Sequence, residues 1–194
     1  MSQAARRKAE RFLSHLEPIQ PALSAYCRRV LIGGNEVADV LQSAVVNAYR
    51  DFDLYAEGTN FRAWMFRYVS YEALNRNRAA SRRRSAALPA DLAAEVADAG
   101  WDESLMDRLL DDPEIVLDQC DDAIAQAVLE LPDTERSIFV LRAVGEFKYR
   151  EIAEILEIPM GTVMGLLSRS RDRLRCRLVE YARTHGLLPG RDSE

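Results

Sequence analysis

Arginine occupies every second position from 169 to 177 in the stretch LLSRSRDRLRCRL, and guanidinium groups in such a series are phosphate-binding chemistry. At about 100° per residue on a helix, Arg169, Arg171, Arg173, Arg175 and Arg177 cannot share one stripe. They wrap its exposed sides, where several could reach phosphates flanking a groove. A solvated helix that uses arginine as a good helix former is the plainer alternative. A second series lies upstream in FRAWMFRYVSYEALNRNR, where Phe61, Trp64, Phe66, Tyr68 and Tyr71 alternate with Arg62, Arg67, Arg76 and Arg78. Aromatic rings can stack on unpaired bases while arginines hold the backbone. Phe61, Trp64 and Tyr68 also read as core, which leaves Tyr71 and Arg67 as the better exposed candidates.

Other chemistries lack their residues. The chain has no GxGxxG, no GxxxxGK[ST] and no nucleophile elbow, and His15 and His185 stand at opposite ends. No enzyme and no cofactor are expected. Cys27, Cys120 and Cys176 are widely spaced and odd in number, without a CxxC, so they read as reduced thiols of a cytoplasmic protein and not as metal ligands. No run approaches the ~20 apolar residues of a membrane span, and the basic N-terminus has no apolar signal core.

These series need elements to carry them. The 194 residues suit one domain or two small ones, at 48% hydrophobic and 29% charged. Glycine is scarce, alternating strand patterns are missing, and Ala, Leu, Arg and Glu dominate, which predicts an all-α fold. The formal net charge of -5 conceals three zones. Residues 62–84 hold seven arginines against Glu72; residues 91–122 hold twelve acids against Arg108; arginines return after 136. The acidic middle reads as a linker over 81–113, with a short helix at 103–110, between helical domains at 1–80 and 114–188 and before a tail at 189–194.

In the first domain, Asn35 can cap a helix carrying Val37, Val40, Leu41, Ala44, Val45, Ala48 and Tyr49 at helical spacing. Gly58 and Asn60 mark a loop over 56–60 before the aromatic–arginine helix. In the second, Pro132 with Asp133 and Glu135 suits a helix start, and Gly145 its end. Helices over 149–156 and 160–181, joined by a short turn, make a helix-turn-helix plan. Ile152, Ala153, Ile155, Leu156 and Ile158 pack the first part, and Val163, Leu167, Leu174 and Leu178 form the inner stripe of the second. The N-terminal end of that second helix would enter a major groove.

Taken together, DVLQSAVVNAYRDFDLY, FRAWMFRYVSYEALNRNR and LPDTERSIFVLRAVGEFKYREIAEILEIPMGTVMGLLSRSRDRLR resemble a two-domain sigma factor of bacterial RNA polymerase. The group is the extracytoplasmic-function (group IV) sigma factors of the sigma-70 family, and the likeness covers roughly residues 20–80 and 120–180. The resemblance implies that 39–55 docks the clamp helices of the polymerase largest subunit, through Asp39, Val40, Gln42, Ser43, Asn47 and Tyr49. It implies that 56–78 melts and reads a minus-ten promoter element with a flipped base, through Arg62, Trp64, Arg67, Tyr68, Tyr71, Asn75, Arg76 and Arg78. It implies that the last helix reads a minus-thirty-five element through Thr162, Val163, Met164, Leu166, Arg169, Arg171 and Arg173, and that the second domain meets the polymerase flap. An anti-sigma protein is a further implied partner, and the acidic linker would run toward the RNA exit path.

Several residues depart from the family pattern. Ser43 stands where an acid is usual, Tyr71 where asparagine is common, and Lys148 where a serine would cap a helix. Glu157 replaces a turn glycine and predicts a strained positive φ. Gly165 and Leu166 replace a polar pair, and Leu166 offers only apolar contact such as a thymine methyl. Two other readings remain: a helix-turn-helix regulator that binds duplex DNA without polymerase, which leaves 39–78 unexplained, and a sigma mimic that binds an anti-sigma protein.

Overall fold

The structure, a computed structural model, describes residues 3–33, 36–85 and 122–184, with side chains of 83–85, 122–124 and 178–184 left aside. Asn35, the expected helix at 103–110 and the tail at 189–194 fall outside the described residues. Those residues form eight α-helices and no strand, as composition predicts.

In α1 (Gln3–Leu16) only the C-terminal half has core residues, Phe12 and Leu16, and its polar half lies on the surface. Phe12 meets Tyr49, Phe52 and Phe61 edge-on, with ring centroids 5.4, 5.2 and 5.9 Å away, which pins α1 to an aromatic cluster. Lys8 reaches Asp53 at 2.6 Å, and Arg11 pairs with Glu57. The prolines at 18 and 21 each sit in the first turn of a helical segment, where a missing N–H costs nothing. The second of these begins α2 (Gln20–Val30), which buries Leu23, Tyr26, Cys27 and Val30 at helical spacing. Burial pushes both the Tyr26 phenol and the Cys27 thiol up to about 12, so each stays neutral.

Helix α3 (Val37–Asp51) buries Val40, Ala44 and Ala48, and the two alanines let it lie close along α4 (Phe61–Ser85). Asn60 starts α4 by accepting the Ala63 N–H at 3.1 Å. Gly58, at φ 81°, makes the preceding loop possible, and Tyr55 Oη ties it by donating to the Thr59 carbonyl at 2.6 Å. Helix α4 continues through Ser85, past the expected boundary at 80. Its buried residues, Phe61, Met65, Phe66, Val69, Ser70, Ala73 and Asn77, span a wide arc because other helices flank it on two sides.

Those other helices come from the second half: α5 (Asp122–Glu130), α6 (Asp133–Ala143), α7 (Tyr149–Leu156) and α8 (Met160–Thr184). Helix α6 starts after Pro132 and ends at Ala143, with Val144 as its cap, as the acid-rich first turn and Gly145 predict. Nearly every residue of α6 is buried, so it is the central strut of this half. Gly145 cannot carry a side chain, because a Cβ there would stand 2.6 Å from both the Leu141 carbonyl oxygen and the Phe147 ring.

Contacts between the halves are built from polar as well as apolar groups. Arg136 on α6 is 1% exposed, and its Nε donates to the Val30 carbonyl at 2.9 Å, one of the orphan acceptors at the end of α2. Its other nitrogens donate to the Leu129 and Leu131 carbonyls, at 2.7 and 2.8 Å, and to Asp133. Asn77 on α4 donates to the same Val30 oxygen at 2.9 Å. Beside them the rings of Phe66 and Phe147 meet edge-on at 4.9 Å.

Candidate nucleic-acid interface

The uncovered side of α4 carries Arg67, Tyr71, Asn75 and Arg78, each about one turn from the next. Tyr71 is 65% exposed, a large cost for an aromatic ring with no partner. A groove of about 460 Å³ opens between this strip and the end of α7, with Leu74, Leu156 and Glu157 among its walls. Four of the residues expected to meet unpaired DNA are thus brought together.

Of the other four, Tyr68 also lines this groove, and Arg62, Trp64 and Arg76 do not. Trp64 and Tyr68 are half-buried, their rings 4.9 Å apart at the edge of the aromatic cluster. Tyr68 Oη donates to Asp51 at 2.9 Å, and burial followed by that carboxylate pushes its phenol up to about 12. The Arg62 guanidinium lies 4.8 Å from the Phe147 ring centre, and Arg76 pairs with Glu36 at 3.4 Å on another side of the helix. Both arginines make contacts within the protein.

The helix-turn-helix forms as its pattern predicts. Lys148 precedes α7 without a side-chain cap, and half of a capping box remains: Glu151 Oε2 accepts the Lys148 N–H at 2.9 Å. Glu157 ends α7 at φ 54°, the strained left-handed geometry expected where glycine is usual. The Ile158 N–H then bonds back to the Ala153 carbonyl at 3.1 Å and closes the turn.

In α8, Val163, Leu167, Ser170 and Leu174 are buried, and Thr162, Met164, Gly165, Ser168 and Arg169 are exposed. Val163 is 0% exposed, so its assignment as a contact residue is corrected: it holds the helix against the core. Leu166 is only half-exposed and packs on the same core. The outermost line runs through Gly161, Gly165 and Ser168, and a Cβ built at either glycine meets nothing within 4 Å. Gly161, Ser168 and the exposed Met160 were not among the expected contacts. The spacing of four and three residues through Gly161, Gly165 and Ser168 was the available signal.

The arginine series divides as well. Arg169 lies on the exposed face beside Gly165. Arg173 pairs at 3.3 Å with Glu135, itself buried, and Arg177 pairs with Glu130 at 2.9 Å. Arg171 is half-buried. On α3, Asp39 and Gln42 are exposed, Ser43 and Tyr49 are half-exposed, and Asn47 donates to Glu72 at 2.9 Å. Val40 is 1% exposed and is corrected from a contact to a core residue. Val46, 43% exposed and seven residues after Asp39, completes the outward face with Arg50.

Two helical halves that present, respectively, an aromatic–cationic strip and a helix-turn-helix define a DNA-binding transcription factor. Comparison with known proteins gives the family. The models "Sigma-70 region 2" and "Sigma-70, region 4" match residues 16–83 and 121–174. The ECF RNA polymerase sigma factor SigW of Bacillus subtilis is 30% identical over 152 residues, 78% of this chain and 80% of that protein. The sigma-E factor of Haemophilus influenzae is 27% identical over 74% of this chain and 75% of its own length. Among solved structures, the sigma factor RpoE from Bartonella quintana, in complex with the anti-sigma factor NepR, has a TM-score of 0.65 at 22% identity. That match covers 87% of this chain and 97% of that one. CnrH, in complex with the cytosolic domain of CnrY, has a TM-score of 0.60 at 25% identity and covers 92% and 94%. The chain belongs to the extracytoplasmic-function sigma factors of the sigma-70 family. Among the described residues no helix is long and apolar enough to cross a membrane.

Proposed function

We propose that the chain binds core RNA polymerase and directs it to a set of promoters, as a cytoplasmic subunit without catalytic chemistry of its own. The observation that carries this reading is the single strip of Arg67, Tyr71, Asn75 and Arg78 on α4, beside an outward α3 face that can dock a helical partner. In this reading residues 1–80 and the rest of α4 open and read the minus-ten element. Tyr71 stacks on the displaced base, and the three polar residues hold the strand.

The α3 face of Asp39, Gln42, Ser43 and Val46 meets the polymerase clamp, with Asn47 and Tyr49 at its edges. In residues 114–188 the exposed end of α8 lies in the minus-thirty-five major groove. Thr162, Gly165 and Ser168 approach the bases, and Arg169 reaches a phosphate. The same half meets the flap. An anti-sigma protein is a further partner, since the sigma factor RpoE was captured with one.

The test is transcription of sheared genomic DNA by core polymerase with and without the chain, with 5′ ends mapped. The expected result is a set of new start sites that share two upstream motifs. Start sites unchanged by the chain would overturn the reading, and co-elution without new starts would favour the sigma-mimic alternative.

A further inference from the structure

The outward face of α8 is short of the groups that read bases by hydrogen bonding. From Met160 to Ser168 the helix rises about 12 Å, which matches a major groove about 12 Å wide. Guanine is commonly read there by arginine or lysine, and adenine by asparagine or glutamine, through bidentate pairs. None of these residue types occurs in the stretch, whose sequence is MGTVMGLLS. Thr162 and Ser168 supply hydroxyls, but a hydroxyl can serve any base edge and discriminates little. Arg169, the first charged residue of the helix, turns its Nε back to the Gly165 carbonyl at 3.4 Å. Asp172 follows on the same outward line as Ser168, and its exposed carboxylate repels phosphate and ends the contacting stretch.

What the stretch offers instead is apolar. Met160 and Met164 are 51% and 50% exposed, one turn apart on one shoulder of the outward face. Leu166 packs on the core, so these two thioethers are the large apolar groups left to the groove. Gly161 and Gly165 lie beside them with open space around each, so no neighbouring side chain holds the methionines off the base edges. Methionine is unbranched and adapts its shape to an irregular surface. In the major groove the apolar group of a base pair is the thymine C5-methyl.

We propose that Met160 and Met164 are specificity-determining residues of this chain, which read thymine C5-methyl groups and so sort minus-thirty-five elements by where their thymines lie. The inference rests on the placement of α8 in the minus-thirty-five groove, and one arm of the test examines that placement by itself.

On a promoter found by the start-site mapping, each minus-thirty-five thymine is replaced in turn by deoxyuridine. The change removes the methyl and leaves every hydrogen-bonding group of the base pair in place. Holoenzyme affinity should fall about three- to five-fold at one or two positions, the share of one buried methyl group. With Met160→Ala or Met164→Ala, thymine and deoxyuridine should bind within about 1.5-fold of each other at the position that side chain covers. No charge is removed, so the slope of log affinity against log salt should match that of the unsubstituted protein. Both side chains are exposed, so melting temperature and co-elution with core polymerase should also be unchanged.

Hydroxyl-radical protection of the minus-thirty-five backbone separates the two ways to fail. Protection with equal affinity for thymine and deoxyuridine at every position would overturn methyl reading and leave α8 in its groove. A deoxyuridine penalty that persists in both methionine variants would overturn the assignment to Met160 and Met164. Absence of protection would remove α8 from the groove, and the proposal with it.

Discussion

The arginines of α4 and those of α8 look alike in sequence and differ in use. In α4 the core occupies one broad arc, and Arg67 and Arg78 fall on the opposite side beside Tyr71. In α8 the alternating spacing distributes the series around the helix, and Arg173 and Arg177 are spent on Glu135 and Glu130. Arg136, 1% exposed, donates within the protein to three carbonyls and to Asp133. A run of like charge is therefore a candidate for DNA contact only where the helix keeps a face clear of its own core, and even there Arg67 pairs with Glu157 at 3.3 Å.

The sharpest challenge to that contrast is Arg136→Ala. Removing the guanidinium takes a donor from the Leu129 and Leu131 carbonyls and leaves Val30 with Asn77 alone, and stability should drop by about 3–5 kcal/mol in urea unfolding. A loss below about 1 kcal/mol would mean these bonds are dispensable. Next comes Tyr71. In holoenzyme, Tyr71→Ala should reduce promoter opening by about 10–100-fold in permanganate footprinting, and Tyr71→Phe should keep most of it. Equal footprints for all three proteins would remove α4 from the reading.

The core under α4 gives a pH test. Tyr26 and Cys27 are neutral in the fold up to about 12, against ordinary values of 10.0 and 9.0. Their contribution is complete below pH 9 and is lost as pH rises toward 12, because only the unfolded chain ionises in that window. Stability should fall by up to about 1.4 kcal/mol per pH unit for each group, and Tyr26→Phe should flatten its part of the slope.

The smallest effect separates two arginines of α8. Arg169→Ala should reduce the slope of log affinity against log salt by about 1, with stability unchanged. Arg173→Ala should instead lower the melting temperature, by leaving the Glu135 carboxylate buried without its cation, and should move the salt slope less. Identical salt slopes for both variants would return Arg173 to the phosphate-binding set.

The helices that begin at 37, 61, 133, 149 and 160 were legible because their apolar residues recur at helical spacing and their ends carry turn chemistry, whereas α5 was not assigned from the sequence. Asn60, Pro132, Gly145 and Glu157 all sit at the boundaries expected of them. The division of the arginines was not legible. Whether Arg62 faces DNA or Phe147 depends on a residue 85 positions away, and local periodicity carries no such information. Val40 and Val163 were misplaced for a related reason: a motif marks a helix as a reader without saying which of its residues point inward.

The glycine line on α8 bears on how such a protein changes over generations. Gly161 and Gly165 occupy an exposed helical face with open space around them, so almost any side chain can be placed there without disturbing the core. Replacing a helical glycine by alanine stabilises by about 1 kcal/mol, so many first steps away from glycine carry no folding penalty. With α8 in the promoter groove as proposed, mutations there that alter which promoters are bound require no compensating change elsewhere. The regulon of this lineage can therefore drift at a rate set by selection on its target genes alone, with the architecture of the protein imposing almost no brake.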